Sequence, residues 1–559
     1  MNENKLHFNL NLIDINKFLK LLIPCFQSKD LSIYTIGNNR INKAFKNKTI
    51  DVNKFINQDF RELEYGLVII KDGESINIYN DVFGAYPLFI HKKNKTTCIT
   101  DYFNFDQHEK LDDLSIIQII HFNHILLDRT LAKGINRLKG GSHIRIDKTG
   151  YDITHNIPWA ILKTILFDEN RNCKTKKSWE TISNFISESR KDLSQDVLTL
   201  TGGFDSRLLL SILLAAENSF ETITWGKTGN LQTDSAKKIS SQFNLNHKEI
   251  KLDKVFESKI DDYLHEIAKN GSESPFITDI PQFIHMCKSL KKETNLISGF
   301  MGSEIIRGPS YSSQVTLTKF AADIGLACSK EEIRSIILNF QKGHPFIKED
   351  VLKKNINELI EIYATYSKIG LNKKEKNANI FKYLFLEKYA KIYGPIIKYH
   401  HDHKINLINP FMSIEFINLM LKENKAKTKL KPYKGNAYYN YNLYKYYAYA
   451  IQSIYPKLND TYIDRGYLIK DLISPVGIFK LPFFQLYRKW IKKNQKKRGV
   501  PTVDSKKWYS DQLKTIPKNL NPKLNSIIDE KIFENLNTFN SLDSIKYQLI
   551  LGLNKKINF

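Results

Sequence analysis

Cysteine is scarce in this chain and forms no recognisable pattern. The 559 residues contain five cysteines, at positions 25, 98, 173, 287 and 328, and no Cys-x-x-Cys pair. This spacing argues against both a disulfide framework and a zinc ribbon. We therefore expect a protein of a reducing compartment, the cytoplasm.

Long apolar runs are also absent. No segment has the roughly eighteen consecutive apolar residues that a transmembrane helix needs. Residues 1–26 lack the basic region, apolar core and cleavage site of a signal peptide. Hydrophobic residues make up 42% of the chain and charged residues 26%, which is ordinary for a globular protein. The sequence predicts two or more domains and no membrane span.

Acidic residues are outnumbered by basic ones. There are 59 Asp and Glu against 84 Lys and Arg, which gives a net charge of +25. One interpretation is an anionic partner, such as nucleic acid, a membrane surface or an acidic substrate. The other is a composition shifted toward the amino acids that AT-rich codons encode. The lysines are spread along the chain rather than grouped, which favours the second interpretation and predicts no nucleic-acid partner. The densest cluster, Trp490–Val500, fits a solvated helix end or a contact with an anion.

The hydrophobic pattern changes along the chain. Residues 1 to about 160 hold short β-type runs, among them "YGLVIIKD" and "SINIYND", which are separated by Gly-Glu and indicate a hairpin. From about residue 175, short apolar strands alternate with amphipathic helices, and this alternation predicts a parallel sheet with crossover helices. After about residue 310 the pattern is mainly helical. We therefore predict an antiparallel N-terminal part followed by an α/β part with added C-terminal helices.

One strand-to-helix junction carries polar residues. In "VLTLTGGFDSRLLL", Gly202 and Gly203 allow backbone N–H groups to approach an anion, and the N-terminus of the following helix adds its own N–H groups. The hydroxyls of Thr201 and Ser206 can donate to the same anion. Asp205 beside a phosphate needs a cation between them, and Mg²⁺ fits this role. A Walker A pattern is absent. The alternative is a simple turn in which Asp205 or Ser206 caps the helix.

The segment from Thr201 to Ser206 resembles the pyrophosphate loop of ATP pyrophosphatases, in the form found in asparagine synthetase-like enzymes. The resemblance continues through "TWGKTGNLQTDSAKKISSQ", "ISGFMGSEIIRG" and "INPFMSIEFINLML". It implies that ATP binds along these segments. The residues it assigns to the nucleotide, besides Thr201, Gly202, Gly203, Asp205 and Ser206, are Leu200, Arg207, Trp225, Ser298 and Gly299.

The first 160 residues resemble class II glutamine amidotransferase domains. The matching segments are "YGLVIIKDGESINIYNDVFGAYPLFI" and "RTLAKGINRLKGGSHIRIDKTG". The resemblance implies an Ntn-like, β-sandwich-type α+β domain over residues 1–165 and an ATP-pyrophosphatase α/β domain, with C-terminal helices, over residues 175–559. Glutaminases of this family use an N-terminal cysteine, whereas position 2 here is Asn2. We therefore expect the glutaminase activity to be lost.

The second part also departs from the family pattern. Ser303 stands where relatives carry a second Mg²⁺-binding aspartate, and Glu304 follows it as the candidate to hold the metal together with Asp205. Asn406 aligns with the catalytic glutamate, although an amide cannot accept a proton from an attacking amine. Arg465, or alternatively Lys470, is the candidate for stabilising the phosphates.

A histidine cluster, "YHHDHK", spans Tyr399–Lys404. His400 and His403 would share one helix face. The cluster fits a polar helix end, a base near the position of Asn406, or a metal site, but it has no third ligand with a recognisable spacing.

The resemblance implies an ATP-dependent ligase that activates a carboxylate as an acyl-adenylate, for attack by ammonia or a substrate amine. Its cofactors would be ATP and Mg²⁺, and its partners a small-molecule or peptide carboxylate, an amine, and a protein that delivers substrate. Relatives without a glutaminase include β-lactam synthetases and lasso peptide cyclases. This favours the tailoring of peptides, antibiotics or polysaccharides over bulk asparagine synthesis. The alternative is a non-catalytic nucleotide-binding or scaffold protein.

Overall fold

The computed structural model describes most of the chain in separate stretches. These are residues 7–9, 26–27, 31–36, 66–93, 96–101, 110–155, 175–192, 194–227, 229–269, 280–307, 317–423, 437–463, 467–477, 479–480, 483, 486, 490 and 520–529.

The N-terminal part contains two antiparallel sheets. Their strands are β1 (His7–Asn9), β2 (Phe26–Gln27), β3 (Leu31–Ile36), β4 (Leu67–Asp72), β5 (Ser75–Asn80), β6 (Phe89–Lys93), β7 (Thr96–Thr100), β8 (Ile135–Arg137), β9 (Ser142–Asp147) and β10 (Gly150–His155). One sheet has the order β10-β9-β5-β4-β3-β2 and the other β1-β7-β6-β8. Buried residues of both sheets, including Ile69, Ile78 and Ile99, form one core cluster. The predicted hairpin is confirmed, because Asp72 pairs with Ser75 across Gly73 and Glu74.

The turn after β5 is organised by a buried carboxylate. Asp81 accepts hydrogen bonds from the backbone N–H groups of Phe83, Ala85 and Tyr86 at 2.8–3.1 Å. Gly84 has a φ of +65°, and a Cβ on Gly140 would lie 2.5 Å from the Gly84 nitrogen. Two backbone segments therefore approach each other here at a distance that only glycine permits.

A five-stranded parallel sheet forms the centre of the second part, as the strand–helix alternation predicts. Its strands are β11 (Asp196–Thr199), β12 (Glu221–Gly226), β13 (His247–Lys251), β14 (Asn295–Ile297) and β15 (Asn406–Ile408), in the order β13-β12-β11-β14-β15. All four pairings are parallel. The chain runs outward from β11 to β13 and then continues on the other side of β11 with β14.

Helices follow and flank these strands. They are α1 (Asp113–Phe122), α2 (Thr175–Ser189), α3 (Phe204–Ala215), α4 (Leu231–Gln242), α5 (Lys254–Ser258), α6 (Ile260–Lys269), α7 (Ile280–Cys287), α8 (Gly302–Arg307), α9 (Lys319–Leu326), α10 (Lys330–Gly343), α11 (Glu349–Ser367), α12 (Lys373–Tyr383), a π-helix (Leu384–Lys388), α13 (Tyr389–Asp402), α14 (Ile414–Glu423), α15 (Ala437–Ile454) and α16 (Pro522–Asn525). Within the described ranges, none of them has the length and apolar character required to cross a bilayer.

Helix α13 joins the two parts. The ammonium of Lys398 lies 3.3 Å from the carboxylate of Asp101 and 2.6 Å from that of Asp402. Tyr86 donates a 2.8 Å hydrogen bond to Asp101. Gly394 packs directly on the carbonyl of Ala85, where a side chain would clash. The predicted domain boundary, between residues 165 and 175, lies in 156–174, outside the described residues.

Candidate functional site

The order of the parallel strands makes β11 and β14 the neighbours at which the direction of the sheet reverses. Strands β12 and β13 are added on one side of β11, and β14 and β15 on the other. The connections that leave the carboxyl ends of β11 and β14 therefore run in opposite directions. Ligands of open α/β sheets bind at such a switch point. Thr201 and Ser298, which follow these two strands, both lie at this edge.

The turn after β11 is held together by two hydroxyls. The hydroxyls of Thr201 and Ser206 lie 3.1 Å apart, and the backbone N–H of Thr201 donates to the Ser206 oxygen at 3.1 Å. The N–H of Gly203 donates to Thr201 Oγ1 at 3.1 Å. The turn is therefore shaped by its own side chains.

Helix α3 begins directly after this turn. Its N-cap is Gly203, in an extended conformation, and no side chain caps the first turn. Asp205 and Ser206 lie inside the helix, so the simple capping interpretation does not hold. A helix N-terminus without a side-chain cap leaves N–H groups and a positive dipole end for an anion.

The connection after β14 packs against the start of α3. A Cβ on Gly299 would lie 3.0 Å from the Ser206 nitrogen and 3.1 Å from the Asp205 carbonyl carbon. A Cβ on Gly302 would lie 2.8 Å from Asp205 Oδ1. Two glycines thus allow the second segment to approach the carboxylate of the first. The structure brings Gly299 together with the loop, as expected for one shared site.

Both oxygens of the Asp205 carboxylate accept hydroxyl hydrogen bonds. Ser303 donates to Oδ2 at 2.7 Å, and Tyr447 of α15 donates to Oδ1 in a short contact. Neither partner was expected from the sequence. Ser303 was noted only as a missing carboxylate, and nothing around Tyr447 in "YNLYKYYAYA" distinguishes it from its neighbours.

Two carboxylate residues lie on the two segments that meet here. Asp205 supplies a carboxylate, and Glu304 lies half-buried in the first turn of α8, one residue after Ser303. Mg²⁺ is commonly held by one or two carboxylates, with phosphate and water completing its shell. Among the described residues, no group of three or more His, Cys, Asp or Glu side chains could hold a metal. The structure shows that the segment carrying Glu304 packs on Asp205 through Gly302.

Three predicted nucleotide contacts are engaged elsewhere. The Arg207 guanidinium is fully buried and donates to Thr461 Oγ1 at 2.9 Å and to the Tyr462 carbonyl at 2.6 Å. The side chain of Leu200 is fully buried, and its backbone N–H donates to the Ile223 carbonyl, which extends the β11–β12 pairing by one residue. Trp225, at the end of β12, packs on Phe283 at 5.1 Å and remains half-buried near the edge.

Asn406 lies at the opposite edge of the sheet. It starts β15 and pairs in parallel with Asn295, which pairs with Asp196. Its amide donates to Asn295 Oδ1 and to the Ser189 carbonyl, both at 2.7 Å. At about 3.3 Å per residue along a parallel strand, the length of β15 separates it from the carboxyl edge. The structure therefore does not bring Asn406 to the loop after β11, because a parallel strand carries its first residue to the amino edge.

The two basic candidates are Arg465 and Lys470. Arg465 lies outside the described residues. Lys470 pairs with Asp460 at 2.6 Å on the surface.

The histidines of the 399–404 segment differ from one another. His400 is buried, where desolvation lowers its pKa to about 4, and its ring nitrogens contact the Ile396 carbonyl at 2.6 Å and Cys287 Sγ at 3.2 Å. His403 stacks on Tyr399 and pairs with Glu266, whose hydrogen bond raises the pKa of His403. Within the described residues these side chains do not converge on a metal position.

Comparisons with known proteins give limited likenesses. No family model and no curated protein matches the chain. Among solved structures, an NMN synthetase from Francisella tularensis matches at 13% identity and a TM-score of 0.22, over 39% of this chain and 97% of that one. An NH3-dependent NAD synthetase from Campylobacter jejuni matches at 18% and 0.22, over 39% and 96%. A glutamine PRPP amidotransferase from B. subtilis matches at 8% and 0.14, over 40% and 46%. Likenesses this distant carry no inference about the function of the chain.

Proposed function

We propose that the protein is an ATP-dependent, AMP-forming carbon–nitrogen ligase of the asparagine synthase-like type. One observation carries the proposal: the segment after β14 packs through Gly299 and Gly302 on Asp205 and Ser206 at the switch point of the sheet. This arrangement places an uncapped helix N-terminus beside a carboxylate, as a magnesium-bound diphosphate requires.

In the proposed reaction, the turn Thr201–Gly203 and the start of α3 bind the β- and γ-phosphates through N–H groups and hydroxyls. Asp205, with Glu304, would hold magnesium, and the charge of this ion would neutralise part of the diphosphate charge. A substrate carboxylate oxygen attacks the α-phosphorus, and the bond to the bridging oxygen breaks to release pyrophosphate. An amine then attacks the acyl carbon, loses a proton and displaces AMP, which leaves an amide. The fixed N–H groups stabilise the charge that develops on the leaving group.

The hydroxyls on Asp205 have a role in this scheme. Ser303 and Tyr447 donate to a carboxylate that is half-buried. A buried carboxylate without partners is costly. We propose that these hydroxyls give way to the metal when the nucleotide binds.

The domain assignment belongs to the same proposal. We infer a glutamine amidotransferase-like unit over residues 1–165 and a synthetase unit over residues 175–559. The first unit would act through its packing on α13 rather than by hydrolysing glutamine. The amine would then come from a substrate or from free ammonia.

Release of AMP and pyrophosphate tests the proposal. Purified full-length protein with ATP, Mg²⁺ and a panel of carboxylic acids is expected to release both products. Asp205→Asn should reduce the rate by a factor on the order of 10² or more, because the metal loses its carboxylate. Asp350→Asn, an exposed change at the start of α11, is the matched control and should leave the rate unchanged. Release of ADP in place of AMP would refute the proposed chemistry.

A second candidate is a nucleotide-binding protein without catalysis. The observation that favours it is that both Asp205 oxygens already have hydroxyl donors within the chain. ATP binding that persists with no pyrophosphate release across the panel would select this alternative.

A further inference from the structure

A cavity lies against one face of the parallel sheet, directly below the proposed site. Its floor is formed by side chains of β11, β14 and β15 and of the residues that follow β14 and β15, and α13 covers it. Thr199, Ser298 and Asn409 line it at the carboxyl edge of the sheet. Leu296 and Leu407, two residues before Ser298 and Asn409, line it farther from that edge. Side chains alternate along a strand, so these residues share one face.

The cavity meets the proposed nucleotide site at Ser298. The next residue, Gly299, is the one whose backbone packs on Asp205 and Ser206. Most of the lining belongs to β14, β15, the residues that follow these strands, and α13, and Trp225 lies next to the cavity only through its contact with Phe283. The cavity therefore extends mainly toward β15. A carboxyl group at Ser298 would therefore be next to the diphosphate loop, with the rest of its molecule in the cavity.

The walls of the cavity are apolar. Phe283, Phe300, Tyr393 and Ile397 line it, together with Met412 after β15. Among the described residues, no Asp, Glu, Lys or Arg side chain lines it. His400 also contributes to the lining, but its burial keeps it neutral near pH 7 because its pKa is lowered to about 4. A charged group placed here would lose its hydration without gaining a partner.

One polar atom in the lining has no partner. Asn409 is 5% exposed, and its Oδ1 accepts no hydrogen bond from the residues that the structure describes. Buried acceptors are normally satisfied, and an exception calls for an explanation such as a bound ligand. An amide oxygen accepts from N–H or O–H donors.

We propose that this cavity binds the side chain of the carboxylate substrate, and that this side chain is uncharged and apolar or aromatic. An N–H or O–H donor of the substrate, next to its carboxyl group, binds Asn409 Oδ1. The inference rests on the proposed ligase function and specifies its substrate class. An apolar α-amino acid, a hydroxy acid or the C-terminus of an apolar peptide has this chemistry. A dicarboxylic acid such as aspartate does not, because its second carboxylate would be buried unpaired.

The experiment is acid-dependent exchange of labelled pyrophosphate into ATP, with wild-type protein and matched acids. The pairs are leucine against aspartate and 2-hydroxy-3-phenylpropionate against 3-phenylpropionate. We expect kcat/KM to favour leucine over aspartate by a factor on the order of 10² or more. The hydroxy acid should exceed its deoxy analogue by roughly 10-fold or more, because only the former satisfies Asn409.

Two variants test the lining directly. Asn409→Leu should abolish the preference for the hydroxy acid while leaving the apparent KM for ATP unchanged. Ile397→Lys introduces a cation into the half-buried wall and should shift the leucine-to-aspartate ratio toward aspartate by 10-fold or more. Leu338→Lys, an exposed position of α10 that is 49% accessible, is the control for adding a lysine and should change neither ratio.

The outcomes separate the two proposals. Exchange that prefers aspartate, or ratios that neither variant changes, overturns the apolar acyl cavity while the ligase function stands. Variants that weaken ATP binding and leave acid selectivity intact assign the cavity to the adenine base instead, and also overturn it. No exchange with any acid refutes the ligase function, and the acyl assignment falls with it.

Discussion

At the scale of single residues, two glycines determine whether the proposed site can form. Positions 299 and 302 do not require glycine because of an unusual backbone conformation, since neither residue has a positive φ. They need it because the backbone of the β14 connection lies against Asp205 and Ser206. Any side chain would enter the space that the carboxylate and the start of α3 occupy.

We predict that Gly302→Ala displaces the Asp205 carboxylate. The new methyl group would lie 2.8 Å from Oδ1 and 3.0 Å from Phe411, so one of them must move. Pyrophosphate release should fall at least tenfold, and the free energy of unfolding by about 1–3 kcal/mol. Gly343→Ala is the matched control, because a Cβ there meets nothing within 4 Å. Equal rates in the two variants would argue against the site.

Ser303 allows a gain-of-function prediction. Ser303→Asp would place a second carboxylate beside Asp205, since the serine oxygen is 2.7 Å from Oδ2. Two adjacent carboxylates repel each other without a cation and share one with it. We expect a lower Tm than wild type in EDTA and a larger rise in Tm on adding Mg²⁺. Ser303→Asn is the uncharged control and should show no such Mg²⁺ response. A Mg²⁺ response equal to that of wild type would contradict the proposed metal position.

At the scale of elements, α13 is the helix that connects the two antiparallel sheets with the parallel one. It packs on Ala85 through Gly394 and covers the apolar cavity. Its most buried charge is Lys398, which is 1% exposed and lies between Asp101 and Asp402. The position of the cavity wall therefore depends on a charge cluster that spans both halves of the chain.

We predict that Lys398→Met destabilises the protein by about 3–5 kcal/mol, because it leaves Asp101 and Asp402 without their cation. Adding Asp101→Asn to this variant should recover part of the loss. The control is Lys353→Met, whose partner Glu349 is also exposed and whose loss should leave the free energy of unfolding nearly unchanged. Urea unfolding of the three variants and the wild type measures these values. A loss for Lys398→Met no larger than that of the control would show that the cluster does not hold α13.

At the scale of the whole molecule, buried neutral histidines link stability to pH. Burial lowers the pKa of His400 to about 4 and that of His124 well below its usual value. In the unfolded chain a histidine binds its proton near pH 6.5. Between these values only the unfolded state takes up the proton, so the free energy of unfolding is highest above pH 6.5 and falls as the pH decreases.

We predict that the free energy of unfolding decreases less steeply with falling pH in His400→Gln than in wild type. From pH 6.5 to pH 4, His400 contributes a loss of up to about 3 kcal/mol in wild type, and the variant lacks this contribution. Urea unfolding at several pH values compares the two slopes. Parallel slopes would mean that His400 is protonated in the folded state.

The pattern of strands and helices was well predicted from the sequence because it depends on neighbouring residues. The hairpin at Gly73–Glu74 and the parallel strands β11, β12 and β14 follow from local hydrophobic periodicity and turn residues. Strand β15 was not predicted, because it lies in the region whose pattern is mainly helical. The Ntn-like layout of the first part and the domain boundary remain predictions. The strand-to-helix turn at Thr201–Ser206 was also predicted, since the hydrogen bonds that shape it join residues of this one short segment.

The site required long-range packing that no local pattern encodes. Asn406 was proposed as part of the site because it aligns with the catalytic glutamate of the family that the sequence resembles. The register of β15 instead places it at the amino edge of the sheet, paired with Asn295. Tyr447 contacts Asp205 across 242 positions of sequence. Arg207 was assigned to the nucleotide, but its buried guanidinium binds the 461–462 segment.

The sequence by itself therefore determined the chemistry of one short turn and the order of the elements around it, because both arise from contiguous residues. Only the tertiary structure decided which side chains meet that turn, which edge of the sheet each candidate occupies, and that an uncharged cavity opens beside Ser298. The physical reason is that hydrogen-bond partners and cavity walls come from segments hundreds of residues apart, and their proximity is set by packing of the whole chain.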